Sequence, residues 1–268
     1  MRERQEILTT CDTISEEWRD GYVVVTLNRP DNMNALSMSL VAAVQDCFTR
    51  VEKDDSVRAV VITGGNYIFC AGMDLKEMSL LPDGEIDDYF GAITKLLQTI
   101  YTFKKPVIAA VGGIAFGTGF NLAVVCDLIV ASEAAIFGHP EIKFGLNPLI
   151  DPLIRIVGQN KAKEINMIGD PIGAQEAAKL GLVNKVAPPE KFLERAEALA
   201  RQIAERPPKA IEAVKRMSDI VPRLDKNAAL EYEFETSALL FSRSERRERL
   251  TRFLESLETR KKNDDSPV

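Results

Sequence analysis

The sequence predicts an α/β fold, and three observations carry that reading. Short β-branched or apolar runs alternate with segments of helical periodicity, joined by short connections. The runs are brief and closely spaced, more like a repeating β-β-α spiral than a doubly wound sheet, although spacing leaves both open. From about Pro148 onward the pattern becomes helical.

Taken in order, Tyr22–Leu27 (YVVVTL) is β-branched and reads as a strand, and Asn28–Asn34 (NRPDNMN) is a loop of turn residues. Ser37 has the position of a helix N-cap, after which Leu40, Val41, Val44, Phe48 and Val51 recur at helical spacing up to Lys53. Ala59–Thr63 (AVVIT) is a short apolar strand ended by Gly64 and Gly65. Tyr67–Gly72 (YIFCAG) precedes a helix start at Asp74. Tyr89 to Phe103 has helical spacing, Pro106–Val111 is a buried strand, and Gly117–Gly119 opens a helix over Phe120 to Cys126. Asp127–Ala131 is a further strand. Helices are then expected over Lys161–Ile168, Gly173–Leu180, Pro188–Ala204, Lys209–Val221 and Lys226–Leu240, with a charged one from Ser244 to Arg260 and a polar tail.

Bulk properties narrow the function. With 268 residues, 46 % of them hydrophobic, the chain suits one large domain or one with an appendage. A net charge of −6 with mixed signs lacks the basic stripe of a nucleic-acid binder, so no nucleic-acid partner is expected. A single phosphorylated ligand needs only a few local cations or helix N-termini. Cys11, Cys47, Cys70 and Cys126 form no C-x-x-C pair and suit reduced thiols. One histidine, His139, argues against a His-based metal centre, and no metal is expected. The N-terminus lacks a secretory h-region and no apolar run reaches the ~20 residues of a membrane helix, so a cytoplasmic location without membrane association is expected.

Three segments hold residues suited to chemistry. In Val111–Asn121 (VGGIAFGTGFN) a buried strand runs into glycines and then a helix. Glycines allow close backbone approach, and the helix start leaves N–H groups unpaired where a developing anion is favoured. Such a turn can be an oxyanion hole, a packing turn, or a weak match to a dinucleotide fingerprint. In Phe69–Met78 (FCAGMDLKEM) Asp74 can cap the helix, and Lys76 in its first turn is a surface lysine unless a polyphosphate lies beside it. In Phe137–Gly145 (FGHPEIKFG) Glu141 follows a proline in apolar surroundings. Taken alone it reads as a surface glutamate; enclosed there, its carboxyl would have a raised pKa and could act as base and acid. His139 reads as structural.

Together these segments resemble the enoyl-CoA hydratase/isomerase family, the crotonase superfamily. NRPDNMNAL (Asn28–Leu36), FCAGMDLKEM, the stretch from Lys104 to Gly145 and GDPIGAQEAAKLGLVNKV (Gly169–Val186) each resemble a family signature, and the likeness covers nearly the whole chain. The resemblance implies a crotonase-like spiral core over residues 1–200 and a C-terminal helical trimerisation region over 201–268, assembling homotrimers or hexamers. It implies an acyl-CoA substrate and no further cofactor, coenzyme A being part of the substrate. The thioester oxygen would accept hydrogen bonds from the backbone N–H groups of Met73 and Thr118. Met33, Ala35, Leu36, Ala71, Asp74 and Lys76 would line the coenzyme A channel, with Phe253 reaching a neighbouring subunit's site.

Departures from the family pattern bear on mechanism. Of the two glutamates of the hydratases, Glu141 matches the second, while Asn121 stands at the first. Asparagine exchanges no proton at neutral pH but can hydrogen-bond a water or a substrate group. Thr118 replaces a glycine, and Leu146–Asp151 lacks the glycine-rich stretch that follows the second glutamate. The reading that follows is double-bond isomerisation of an enoyl-CoA by Glu141 alone. Alternatives are hydration with Asn121 positioning the water, another enolate reaction such as carbon–carbon bond formation, and non-catalytic acyl-CoA binding.

Overall fold

A computed structural model describes residues 7–10, 12–241 and 250–255. The strands are β1 (Ile7–Thr10), β2 (Ile14–Trp18), β3 (Tyr22–Leu27), β4 (Ala59–Thr63), β5 (Ile68–Cys70), β6 (Val107–Val111), β7 (Ile114–Phe116), β8 (Leu128–Ser132), β9 (Ile136–Gly138), β10 (Ile172–Gly173) and β11 (Lys185–Ala187). The helices are α1 (Met38–Lys53), α2 (Leu75–Met78), α3 (Ile86–Tyr101), α4 (Thr118–Val124), α5 (Leu153–Val157), α6 (Gln159–Ile168), α7 (Ala174–Lys179), α8 (Phe192–Ala204), α9 (Pro208–Ile220) and α10 (Lys226–Phe241).

The connectivity is a spiral. Successive turns of chain place β4, β6 and β8 in one sheet, ordered β1-β2-β3-β4-β6-β8-β11, and β5, β7 and β9 in a second, ordered β10-β9-β7-β5. Both sheets are parallel through these turns, and the antiparallel pairs lie at the ends: β1 with β2, β2 with β3, and β10 with β9. The fold is thus the crotonase-like α/β spiral, and helices dominate the C-terminal part.

Burial on both faces explains why the central strands are unbroken apolar runs. Along β4, Ala59 and Val61 face one way, with Tyr22, Val24, Ile108, Ala110 and Val130, against Phe192, Ala196 and Ala200 of α8. Val60 and Ile62 face the other way, into the larger core with Val44, Phe48 and Leu96 of α1 and α3. That two-layer burial fixes strand register, and so fixes where the strands' C-terminal ends present their loops.

Tyr22–Leu27, Ala59–Thr63 and the end of α1 at Lys53 coincide with the expected elements, and Ser37 Oγ accepts from Leu40 N as an N-cap should. Helix α4 starts two residues before the expected Phe120, because Gly117 at φ 53° turns the chain directly into it. Unforeseen strands are β1, β2, β5, β7, β9, β10 and β11. In β2 the buried positions include Glu16, which accepts from the Trp18 indole, so the apolar alternation is broken by a satisfied charge. The others are two to four residues long, too short for periodicity to register.

Two compact units divide between Pro208 and Lys209. In the second, α10 buries Thr236 while Leu230, Phe234, Leu239 and Phe241 are exposed, and residues 250–255 are helical. The rest of the charged stretch expected from Ser244 to Arg260 lies outside the described residues, as does Cys11. No helix among the described residues is long and apolar enough to cross a membrane.

Candidate active site

The site begins in the loop after β3. Asn34 is buried in the left-handed conformation (φ 52°), and its side chain cross-links the loop: Oδ1 accepts from Arg29 N (2.8 Å), and Nδ2 donates to Gly64 O (3.0 Å) and Ile68 O (2.9 Å). The Arg29 guanidinium donates to Ala35 O (2.6 Å) and pairs with Asp74 (2.9 Å). Asp74 Oδ1 in turn caps α2 by accepting from Glu77 N (3.1 Å). Burial opposes the charge on Asp74, but the Glu77 N–H and the Arg29 guanidinium hold its carboxyl below the usual value.

A single parallel bridge, Leu36 to Met73, joins this loop to the segment after β5. Leu36 N donates to Gly72 O (2.8 Å) and Ala71 N to Met33 O (3.0 Å). The buried Tyr89 hydroxyl reaches in from α3: it accepts from Asp74 N (2.8 Å) and donates to Leu36 O (2.5 Å). Burial pushes the Tyr89 pKa up to about 12, so this hydroxyl stays neutral. With the flanking residues bound on that edge, Met73 N–H is left without an acceptor among the described residues, as strand geometry requires of the opposite edge.

On that edge stands the start of α4. Gly72 (φ 107°) packs so close to the next turn that a Cβ on it would lie 3.0 Å from Phe116 O and 3.4 Å from Thr118 N. Thr118 is the first residue of α4, and its N–H has no partner within the helix. Gly119 lets α4 sit against β5, since a Cβ there would fall 2.1 Å from Cys70 O. The amides of residues 73 and 118 therefore border one corner at a helix start, an arrangement that favours a developing negative charge.

Glu141 closes this corner. It lies in the 3₁₀ turn Pro140–Phe144, entered from β9 through His139 and Pro140. A Cβ on Gly117 would lie 3.2 Å from its Oε2 and 3.5 Å from its Oε1. The residue is half-buried, and Oε2 is a buried polar atom without a hydrogen-bond partner among the described residues. Burial raises its pKa above the ordinary carboxylate value, with its own backbone N–H opposing. A partly desolvated carboxylate with one unpartnered oxygen, beside two amide N–H groups, is suited to moving a proton at a carbon next to a carbonyl.

One helical turn after Gly117 comes Asn121, whose N–H donates to Gly117 O (3.0 Å). Its buried amide lies 3.2 Å from Nε2 of His139. His139 is fully buried, packs against Phe120 with the rings tilted at 41° and their centroids 4.8 Å apart, and places Nδ1 2.8 Å from Asn166 Oδ1. Burial lowers its pKa to about 4, so the imidazole is neutral near pH 7.

The expected site residues fall into three groups. Thr118 N lies near Gly72, next to Met73, and the Glu141 carboxyl lies against Gly117, whereas the Asn121 side chain is buried one turn along α4 and contacts His139. Met33, Ala35, Leu36, Ala71 and Asp74 form the cross-linked loop beside the corner, where Leu36 is a core side chain and Asp74 a helix cap. Lys76 is exposed on α2. Phe253 lies in the second unit, where its side chain is exposed. Sequence reasoning missed Asn34, Tyr89 and Asn166 as supports. Asn34 lay inside the NRPDNMNAL motif, but Tyr89 and Asn166 act from distant helices and carry no local signal.

Comparison with known proteins identifies the family. The family model for enoyl-CoA hydratase/isomerase matches residues 17–263. A probable mitochondrial enoyl-CoA hydratase of Dictyostelium discoideum is 41 % identical over 197 residues, covering 72 % of this chain and 70 % of that one. A crotonyl-CoA hydratase of Syntrophomonas wolfei is 34 % identical over 248 residues, covering 91 % and 95 %. The crystal structure of an enoyl-CoA hydratase from Bacillus anthracis superposes with a TM-score of 0.87 at 31 % identity, covering 91 % of this chain and 96 % of that one. By sequence and by fold, the chain belongs to the enoyl-CoA hydratase/isomerase family.

Proposed function

We propose that this chain is an enoyl-CoA isomerase that shifts a double bond with Glu141 as its one proton carrier. The observation that carries the reading is the unpartnered Oε2 of Glu141 held over Gly117, with a neutral amide, Asn121, one turn along α4. The thioester oxygen of a 3-enoyl-CoA accepts hydrogen bonds from Met73 N–H and Thr118 N–H. Glu141 removes a proton from C2, the dienolate rests on the two amides, and the protonated Glu141 returns the proton at C4. One such donor is worth about 3–4 kcal/mol of barrier, so two amides and one carboxylate suffice for a reaction without net addition. Partial burial makes Glu141 a stronger base, which favours the first step.

The Met33–Leu36 loop with Ala71, Asp74 and Lys76 borders the coenzyme A portion, and no separate cofactor or metal takes part. The C-terminal helices assemble a homotrimer or a hexamer, in which Phe253 meets a neighbour's ligand, and the enzyme works in the cytoplasm. Sedimentation analysis and cell fractionation test these two assignments.

A second reading has its own support. Relatives at 34 % and 41 % identity are named a crotonyl-CoA hydratase and a probable enoyl-CoA hydratase, and an amide at Asn121 can hold a water while Glu141 delivers the proton to C2. Offering 3-enoyl-CoA and 2-enoyl-CoA separately and following products by mass divides the two. Accumulation of the 2-enoyl isomer without a water adduct supports isomerisation. Rapid addition of water to the 2-enoyl substrate supports hydration and overturns the first reading.

A further inference from the structure

Near pH 7 the chain's one histidine is a neutral ring between two amides, and a neutral ring has one N–H and one lone pair. Which nitrogen carries the hydrogen is decided at the far end of the chain of hydrogen bonds. Asn166 Nδ2 donates to Leu149 O (3.2 Å), a carbonyl that can only accept. The Asn166 amide is therefore held with its oxygen toward the imidazole, so Nδ1 must carry the hydrogen that Oδ1 accepts at 2.8 Å. The opposite tautomer would turn the Asn166 oxygen against the Leu149 oxygen. Nε2 is then a lone pair, and a lone pair 3.2 Å from the Asn121 amide needs a donor. Asn121 as placed turns Oδ1 to Nε2, but a half-turn of the amide exchanges oxygen and nitrogen within the same volume, and the network selects the donor.

We infer that His139 is a positioning residue whose bare Nε2 accepts from the Asn121 side-chain NH2 and thereby turns the Asn121 carbonyl oxygen into the site. His139 touches no substrate. It converts Asn121 from an amide of either orientation into a fixed neutral acceptor beside the Glu141 corner. Such an acceptor takes a hydrogen bond from a water or a substrate donor, and unlike a carboxylate it removes no proton. The consequence for catalysis rests on the active-site reading above, whereas the tautomer does not.

The test uses the full-length protein labelled with ¹⁵N-histidine. A single histidine gives one pair of ring nitrogens, and Nε2 is recognised by its coupling to both carbon-bound ring protons. The expected spectrum at pH 7 has Nδ1 protonated and Nε2 bare. A protonated Nε2, alone or together with Nδ1, overturns the assignment. The kinetic arm compares His139→Leu and His139→Gln. Leucine leaves the Asn121 amide unguided, and kcat is expected to fall about 10–100-fold with KM within twofold, in line with the cost of misplacing a reacting group. Glutamine offers an oxygen to Asn121 and an NH2 to Asn166, and is expected to recover most of kcat. An unchanged kcat in His139→Leu, or an equal loss in both variants, overturns the positioning role. Should the leucine variant fail to fold, the spectrum of the parent and the glutamine variant still decide. The expected spectrum from a protein that turns over neither enoyl-CoA would keep the tautomer and reject only the catalytic reading.

Discussion

The Glu141 carboxylate rests on Gly117: a Cβ at that glycine would come 3.2 Å from Oε2. The contact ties the turn that starts α4 to the 3₁₀ turn after β9. It sets the proton carrier against the helix start whose first N–H belongs to Thr118.

Gly117→Ala therefore has two costs. The backbone at φ 53°, ψ −127° is one that L residues rarely adopt, at roughly 1–3 kcal/mol. The new methyl must also push Glu141 away. Urea denaturation should show a loss in that range, and kcat should fall about 100-fold, more than stability alone explains.

Glu141→Gln keeps the shape and removes the base. Turnover should drop about 10²–10⁴-fold, while affinity for an acyl-CoA measured by calorimetry stays close to that of the parent. Turnover equal to the parent's would take Glu141 out of the mechanism. In the parent, kcat/KM should fall as pH drops through the raised Glu141 pKa, because the carboxylate must be ionised to accept a proton.

Tyr89→Phe removes the hydroxyl that holds Leu36 O and Asp74 N together. Leaving buried polar groups unsatisfied costs about 1–3 kcal/mol, which chemical denaturation will show. Met73 N–H loses its fixed direction at the same time, so kcat should fall with little change in KM.

His139 predicts acid sensitivity. Its pKa is about 4 in the folded chain against 6.5 when unfolded, so the unfolded state takes up the proton first. Stability is fully present above pH 6.5 and is lost as pH falls towards 4, by about 3 kcal/mol in all. The groups against the ring are Asn121, Asn166 and Phe120, and Glu141 lies two residues along. Glu141 acts in the opposite sense: its raised pKa gives stability present at low pH and lost as pH rises through that pKa. Urea midpoints from pH 7 to 4.5 should fall more steeply in the parent than in His139→Gln, which retains Glu141.

Much of the fold was legible because β3, β4 and α1 carry strong local signals: β-branched runs buried on both faces, and a serine cap before a helical stripe. β7, β9 and β11 were not, since three residues hold no period and their pairing depends on the spiral itself. Within the site, Gly117 and Glu141 could be singled out as a glycine turn and an enclosed carboxylate, but nothing local says that they touch. His139 was read as structural, and packing bears out its burial. Its contact with Asn121 could not be read, because it joins α4 to the residue after β9. Tyr89 shows the same limit, reaching from α3 to a bridge formed by two loops.

The central claim is that a thioester enolate forms on the amides of Met73 and Thr118 with Glu141 as the base. Incubating a saturated acyl-CoA with the protein in deuterated water and following C2 by mass or proton NMR tests it most directly. The account predicts deuterium at C2 with the parent and almost none with Glu141→Gln. No exchange by a parent that binds the acyl-CoA, or equal exchange by both proteins, would contradict it.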